Sequence, residues 1–169
     1  MNAGIGLHNV WEFECYDKDG NLKWKDGFTN LTTTEGLNHI LDVEFHATTQ
    51  VTTWYVGLVN NSPTPSYAAG DTMAQIGGTN GWTEFTTYTG NRQAYVEAAA
   101  SSGVTTNTAS KAAFPITGTA TIDGGFLCSA ATGTSGILFG EGAFSSPGDR
   151  SVVSGDTLNV TITITATST

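Results

Sequence analysis

Residues 52–59 read Thr-Thr-Trp-Tyr-Val-Gly-Leu-Val, the densest apolar run in the chain. Polar Thr and Gln precede it, and Asn60-Asn61-Ser62-Pro63 follows. Side chains alternate along a strand, so Trp54, Val56 and Leu58 point one way while Tyr55 and Val59 point the other. A strand apolar on both faces belongs in the middle of a core, because a solvated face shows polar alternation instead. No residue in the run is equipped for acid–base or nucleophilic chemistry, so the stretch is scaffold.

Upstream, Thr32-Thr33-Thr34-Glu35 matches a capping box, with Thr32 as N-cap and Glu35 reaching back, which is worth about 1 kcal/mol. The spacing predicts one short α-helix over about residues 33–45, with Leu37, Ile40, Leu41 and Phe45 as its apolar, core-facing stripe. Glu35, His39, Asp42 and His46 form the opposite stripe. Four such ligands at helical spacing suit zinc, but i, i+3 and i+4 steps are also what any solvated helix face produces. The solvated-face reading is the stronger, and no metal site is expected.

Nearer the N-terminus, Trp11, Phe13 and Cys15 alternate with Glu12, Glu14 and Tyr16. Beyond Asp17–Asn21, Leu22, Trp24 and Phe28 alternate with Lys23 and Lys25. A two-residue Asp19-Gly20 turn sets Cys15 opposite Trp24, Trp11 opposite Phe28 and Glu14 opposite Lys25, so one face is apolar and the other pairs opposite charges. Phe13 opposite Asp26 is the misfit, which a bulge near Asp26-Gly27 relieves. Residues 1–9, with Gly4 and Gly6 around Ile5, read as a flexible arm that orders on a partner or frays.

Downstream, Ser62-Pro63-Thr64-Pro65 is incompatible with a central strand. Gly77-Gly78 and Asn80-Gly81 are breaks, with a helical turn between Asp71 and Ile76. Strands are expected over Trp82–Thr89, Gln93–Ala98, Phe114–Ile122, Phe126–Ala130 and Ile137–Phe144. Asp123-Gly124-Gly125 and Pro147-Gly148 are expected turns, and Ala99–Ala112 a surface loop or a second arm. Leu158, Val160, Ile162 and Ile164 alternate with Asn159, Thr161, Thr163 and Thr165, the cleanest half-buried strand. Short strands at near-regular spacing with one helix predict a mainly β chain: a two-sheet β-sandwich, of jelly-roll or Greek-key kind, over residues 10–169 as one domain.

A chain of 169 residues buries a full core without staples. Its net charge of −9, with six Lys and Arg, argues against nucleic acid and against an anionic membrane surface, both of which need a basic footprint. Charged residues make up 12% of the chain, well below the usual quarter, and Thr, Ser, Gly and Asn take their place. Such surfaces suit dense packing against other surfaces. Cys15 and Cys128 lie at inward-looking strand positions and are expected as buried free thiols rather than a disulfide. Neither a signal peptide nor a membrane-spanning run is apparent, so the expectation is a protein that works without Sec-type export.

Catalytic equipment is hard to assemble from these residues. His8 falls in the arm, and His39 and His46 lie on the outward stripe, so no Ser or Cys has an evident base. Gly133-Thr134-Ser135-Gly136 lacks the nucleophile elbow. Glu97 and Glu141 fall on or beside strands, but nothing marks them as a glycosidase pair. No enzyme and no cofactor are expected. Trp82, Phe85, Tyr88 and Tyr95 remain, either as a sugar-stacking platform or protein contact, or as residues that complete the core.

The ordered features resemble a known group. Trp54-Tyr55-Val56-Gly57-Leu58 leads into a Pro-containing loop, then Arg92, Asn107-Thr108-Ala109, Phe114-Pro115-Ile116, Gly125-Phe126-Leu127, Gly136-Ile137-Leu138-Phe139, and Val152-Val153-Ser154-Gly155-Asp156-Thr157-Leu158. In this order and spacing they resemble the small β-sandwich virion proteins of tailed bacteriophages, of the capsid decoration (cement) or head-fibre type. The resemblance implies a non-enzymatic structural protein on the capsid exterior, assembled in the host cytoplasm. Such a protein bridges major capsid protein subunits and forms a homo-oligomer, trimer or dimer. Ile5, Leu7, Trp82 and Tyr88 are the candidate partner contacts. The alternatives are a phage tail or fibre component that meets the host surface, and a carbohydrate-binding module.

Overall fold

Apolar alternation in the first hairpin is met by the register it calls for. The computed structural model describes residues 4–78, 82–145 and 148–168. In it β1 (Ile5–Tyr16) and β2 (Leu22–Thr29) pair antiparallel with Trp11 opposite Phe28, Glu14 opposite Lys25 and Cys15 opposite Trp24. Trp11, Phe13 and Cys15 are fully buried, while Lys25 reaches Glu12 and Glu14 at 3.3 and 3.5 Å on the outer face. The connection is longer than the expected two-residue turn: Asp17 N–H donates to the Asn21 carbonyl, and the Asp17 carboxylate accepts from the N–H groups of Asp19 and Asn21. The expected bulge at Asp26-Gly27 is absent, and the register shifts between Cys15 and Tyr16 instead. Asp26 is tolerated opposite Phe13 because Arg150 Nε donates to its carboxylate at 2.7 Å.

The remaining elements are β3 (Leu31–Thr32), α1 (Thr34–Phe45), β4 (Trp54–Asn60), a 3₁₀ turn (Met73–Ile76), β5 (Glu84–Phe85), β6 (Gln93–Tyr95), β7 (Val104–Thr106), β8 (Ala112–Pro115), β9 (Ala120–Cys128), β10 (Leu138–Ala143), β11 (Arg150–Val152) and β12 (Thr157–Ser168). They form the two sheets of a β-sandwich. One sheet runs β2-β1-β12-β7, with β8 also on β12; the other runs β3-β10-β9-β4-β5, with β6 on β4 and β11 on β9. Asn80-Gly81, Pro147 and the first three residues of the expected arm lie outside the described residues.

Ile5–Asn9 is strand rather than arm. It pairs without a break against Ile164–Ser168, because β12 is twelve residues long and presents backbone partners to the whole of β1. Glycines at positions 4 and 6 hide this in the sequence, since strand formation here comes from the partner strand and not from local propensity.

Strand β4 is buried on both faces, as its composition demands. Trp54, Val56 and Leu58 face the core between the sheets, together with Trp11, Phe114 and Ile162. Tyr55 and Val59 face a second cluster, in which Tyr67, Met73, Ile76 and Trp82 cover Phe126, Cys128 and Leu138. Gly57 pairs with Phe126, and a Cβ at Gly57 would lie 2.1 Å from that ring. The glycine is required by close approach, not by a turn.

Four further expectations are corrected. Asp123-Gly124-Gly125 does not turn: β9 runs straight through it, and a Cβ on Gly124 would lie 1.9 Å from the Gly142 carbonyl oxygen of the neighbouring strand. The expected strand Phe114–Ile122 is divided, β8 lying in one sheet and β9 in the other. Ala99–Ala112 is more than a surface loop. Val104–Thr106 pairs with Thr163–Thr165, and the buried Asn107 side chain donates to the Val160 carbonyl and accepts from Ile162 N–H. The strands expected over Trp82–Thr89 and Gln93–Ala98 shrink to β5 and β6 on the edge of β4.

Candidate functional site

The start of α1 decides which way the helix faces. Thr33, not Thr32, is the N-cap: its hydroxyl oxygen accepts from Gly36 N–H at 3.1 Å and donates to the Leu138 carbonyl. Thr33 N–H donates to the Phe139 carbonyl at 3.1 Å. Glu35 does not reach back along its own helix; its Oε2 accepts from Leu138 N–H at 2.7 Å. Gly36 rests on the backbone of β10, where a Cβ would lie 2.6 Å from the Phe139 oxygen. Polar side chains therefore stitch the first turn to β10, and the helix must present that side inward.

The expected facing of the helix is thereby reversed. Gly36 and His39 are its buried residues, and the His39 ring meets Trp54 edge-on at 5.6 Å. Leu37, Leu41 and Phe45, expected in the core, are 42%, 54% and 83% exposed. Ile40 alone of the expected stripe turns partly inward. The metal quartet is not assembled: Glu35 is bound to β10 and His39 packs on Trp54, while Asp42 and His46 stay in solvent. Among the described residues no three His, Cys, Asp or Glu side chains converge on a metal position.

What the reversal creates is an apolar face. Ile5, 84% exposed at the head of β1, joins Leu7, Leu37, Ile40, Leu41 and Phe45 along a groove of about 400 Å³, with Glu44 at its edge. Two of the four candidate contacts, Ile5 and Leu7, lie here. Trp82 and Tyr88 do not. Trp82 is fully buried between Tyr67 and Phe126, with ring centroids 6.0 and 5.6 Å away, and Tyr88 packs edge-on against Phe114 at 4.9 Å. Phe85 and Tyr95 are buried as well, so the four aromatics complete the two cores and offer no stacking platform.

Charge around this face is one-sided. Each of the six Lys and Arg residues is ion-paired within the chain: Lys18 with Asp19, Lys23 with Asp156, Lys25 with Glu12 and Glu14, Arg92 with Glu84, Lys111 with Glu14, and Arg150 with Asp26. The Lys111 ammonium holds the Glu14 carboxyl below its ordinary range. No ion pair reaches Asp42 or Glu44 among the described residues, and both are exposed on α1.

The remaining titratable groups are interior. Glu141 on β10 is fully buried; burial, with the Asp71 carboxyl beside it, pushes its carboxyl up to about 9. Asp71 and Asp156 occupy the same local turn, which the repeated Gly-Asp-Thr signals. In each, the Asp N–H donates to the carbonyl three residues back, and the carboxylate accepts that residue's N–H, at 3.0 Å from Ala68 and 2.8 Å from Val153. Tyr67 donates to Asp123 at 2.5 Å, and burial raises the carboxyl of Asp123. Glu97 is exposed and Glu141 enclosed, so the two do not flank a common cleft. Cys15 and Cys128 are buried free thiols, and burial pushes Cys15 up to about 12.

Sequence reasoning missed Leu37, Leu41 and Phe45 as surface residues. A second stripe, Gly36-His39-Ile40-Val43, runs at the same i, i+3, i+4, i+7 spacing, and it is the one that docks. No protein-family model matches the chain, and no curated protein matches it.

Proposed function

We propose that the chain is a non-enzymatic structural protein of a tailed-phage particle, which decorates the capsid exterior and bridges major capsid protein subunits. The observation that carries the proposal is the exposed apolar face of α1 and β1, held on a sandwich whose other aromatics are buried or partly buried. Exposed apolar patches on a well-packed protein mark interaction surfaces. Residues 5–9 are already a strand, so docking there orders little chain and loses little entropy. On this reading the protein assembles in the host cytoplasm as a small homo-oligomer, dimer or trimer. Many weak, symmetric contacts on the lattice then supply the affinity.

The test is to mix the purified chain with capsids built from the major capsid protein encoded with it. Saturation at a fixed ratio to coat protein, with a higher temperature of capsid disruption, is the expected result. No binding, or no gain in heat resistance, overturns the reading. A tail or fibre component is the second reading, since an exposed docking face serves either location.

A further inference from the structure

We infer that the face formed by Ile5, Leu37, Leu41 and Phe45 receives a protein segment whose large apolar side chains are flanked by Lys or Arg, and not a second copy of this chain. The inference deepens the decoration reading and rests on its claim that this face docks a partner. Exposures of 84% for Ile5 and 83% for Phe45, beside Leu37 and Leu41, leave a contiguous apolar groove of about 400 Å³ open to water. Its shape calls for two or three apolar anchors, as when an apolar strip enters a groove.

Charge decides between occupants. Helix α1 carries Glu35, Asp42 and Glu44 and no Lys or Arg, and none occurs anywhere from Asp26 to Asn91. All six cations of the chain are engaged by its own carboxylates. A second copy seated by a two-fold axis therefore brings Glu44 against an acidic mate, between chains of net charge −9 with no free Lys or Arg to offset them. A negatively charged lipid surface meets the same repulsion. A Lys- or Arg-flanked apolar segment meets both requirements: its side chains fill the groove and its cations face Glu44. Any homo-oligomer then uses another face.

Two synthetic amphipathic peptides test this. They share one Leu strip and differ only in flanking Lys or Glu, and each is titrated into the full chain at neutral pH and low salt by calorimetry. The Lys-flanked peptide is expected to bind at least about tenfold more tightly. Phe45→Ser with Leu41→Ser should lose at least about tenfold in affinity with the thermal midpoint unchanged, since both side chains are exposed. Glu44→Lys should remove the preference for the Lys-flanked peptide. Equal binding of both peptides, or binding of neither, overturns the inference. So does a dimer, seen by light scattering, that Phe45→Ser dissociates. Capsid binding separates the two claims. If Phe45→Ser binds capsids normally, this face is wrong and decoration survives. If the unaltered chain ignores capsids but binds the Lys-flanked peptide, decoration is wrong and this face survives.

Discussion

Glu141→Gln alters one buried group with almost no change in shape, and its effect is set by pH. The carboxyl is fully enclosed on β10, and burial, then the neighbouring Asp71, pushes it up to about 9 from an ordinary value near 4.5. The folded protein thus keeps the proton that the unfolded chain releases. A folded value above the unfolded one means that this contribution to stability is fully present below about pH 4.5. It is lost progressively as pH rises towards about 9. Each pH unit inside that window is worth about 1.4 kcal/mol, so about three units, from roughly pH 5 to pH 8, remove about 4 kcal/mol. That is a large part of the stability of an ordinary domain. Gln does not titrate, so the variant should lack this part of the pH dependence and be the more stable protein at the alkaline end. Urea unfolding followed by Trp fluorescence at several pH values measures both curves, with a common m-value as the control. Parallel curves for the two proteins would show that Glu141 is ionised in the fold and would refute the reasoning.

Other outcomes follow from the same packing. Gly57→Ala puts a methyl into the Phe126 ring, 2.1 Å from its nearest atom, and should lower stability by about 3 kcal/mol by thermal melting. Trp82→Ala should lower stability by about 3–5 kcal/mol, a packing loss and not a loss of ligand at unchanged stability. Cys15 and Cys128 should resist a thiol reagent in the native protein and react only on unfolding, since both are enclosed and burial raises both thiols. Rapid labelling of either one in the folded state would contradict its placement.

Much of the scaffold is legible in the sequence because it rests on period-two patterning. The hairpin register, the double-sided burial of β4 and the inward row Leu158, Val160 and Ile162 all follow from alternation, which the sheet must respect. Failures occur where a long-range partner decides. Gly124 and Gly125 look like a turn, yet they serve the close approach of β10. Ile5–Asn9 looks unpatterned, yet β12 extends far enough to pair it. The candidate site was half legible for the same reason. Ile5 and Leu7, the candidate contacts of the first strand, do lie on the exposed face, but Leu37, Leu41 and Phe45 read as core because α1 carries two stripes of helical period. The choice between them is made by the hydrogen bonds from Thr33 and Glu35 to Leu138 and Phe139, more than a hundred residues away. Trp82 and Tyr88 stay open in the sequence between contact and core because the segment that carries them lacks periodicity; Trp82 closes the outer side of the second sheet and Tyr88 joins the core between the sheets.

We propose that this chain coats a capsid. Its copy number relative to the major capsid protein in intact particles, measured by quantitative mass spectrometry, tests that most directly. Decoration requires a fixed ratio to coat protein across the whole shell; a handful of copies per particle, or none, would contradict it.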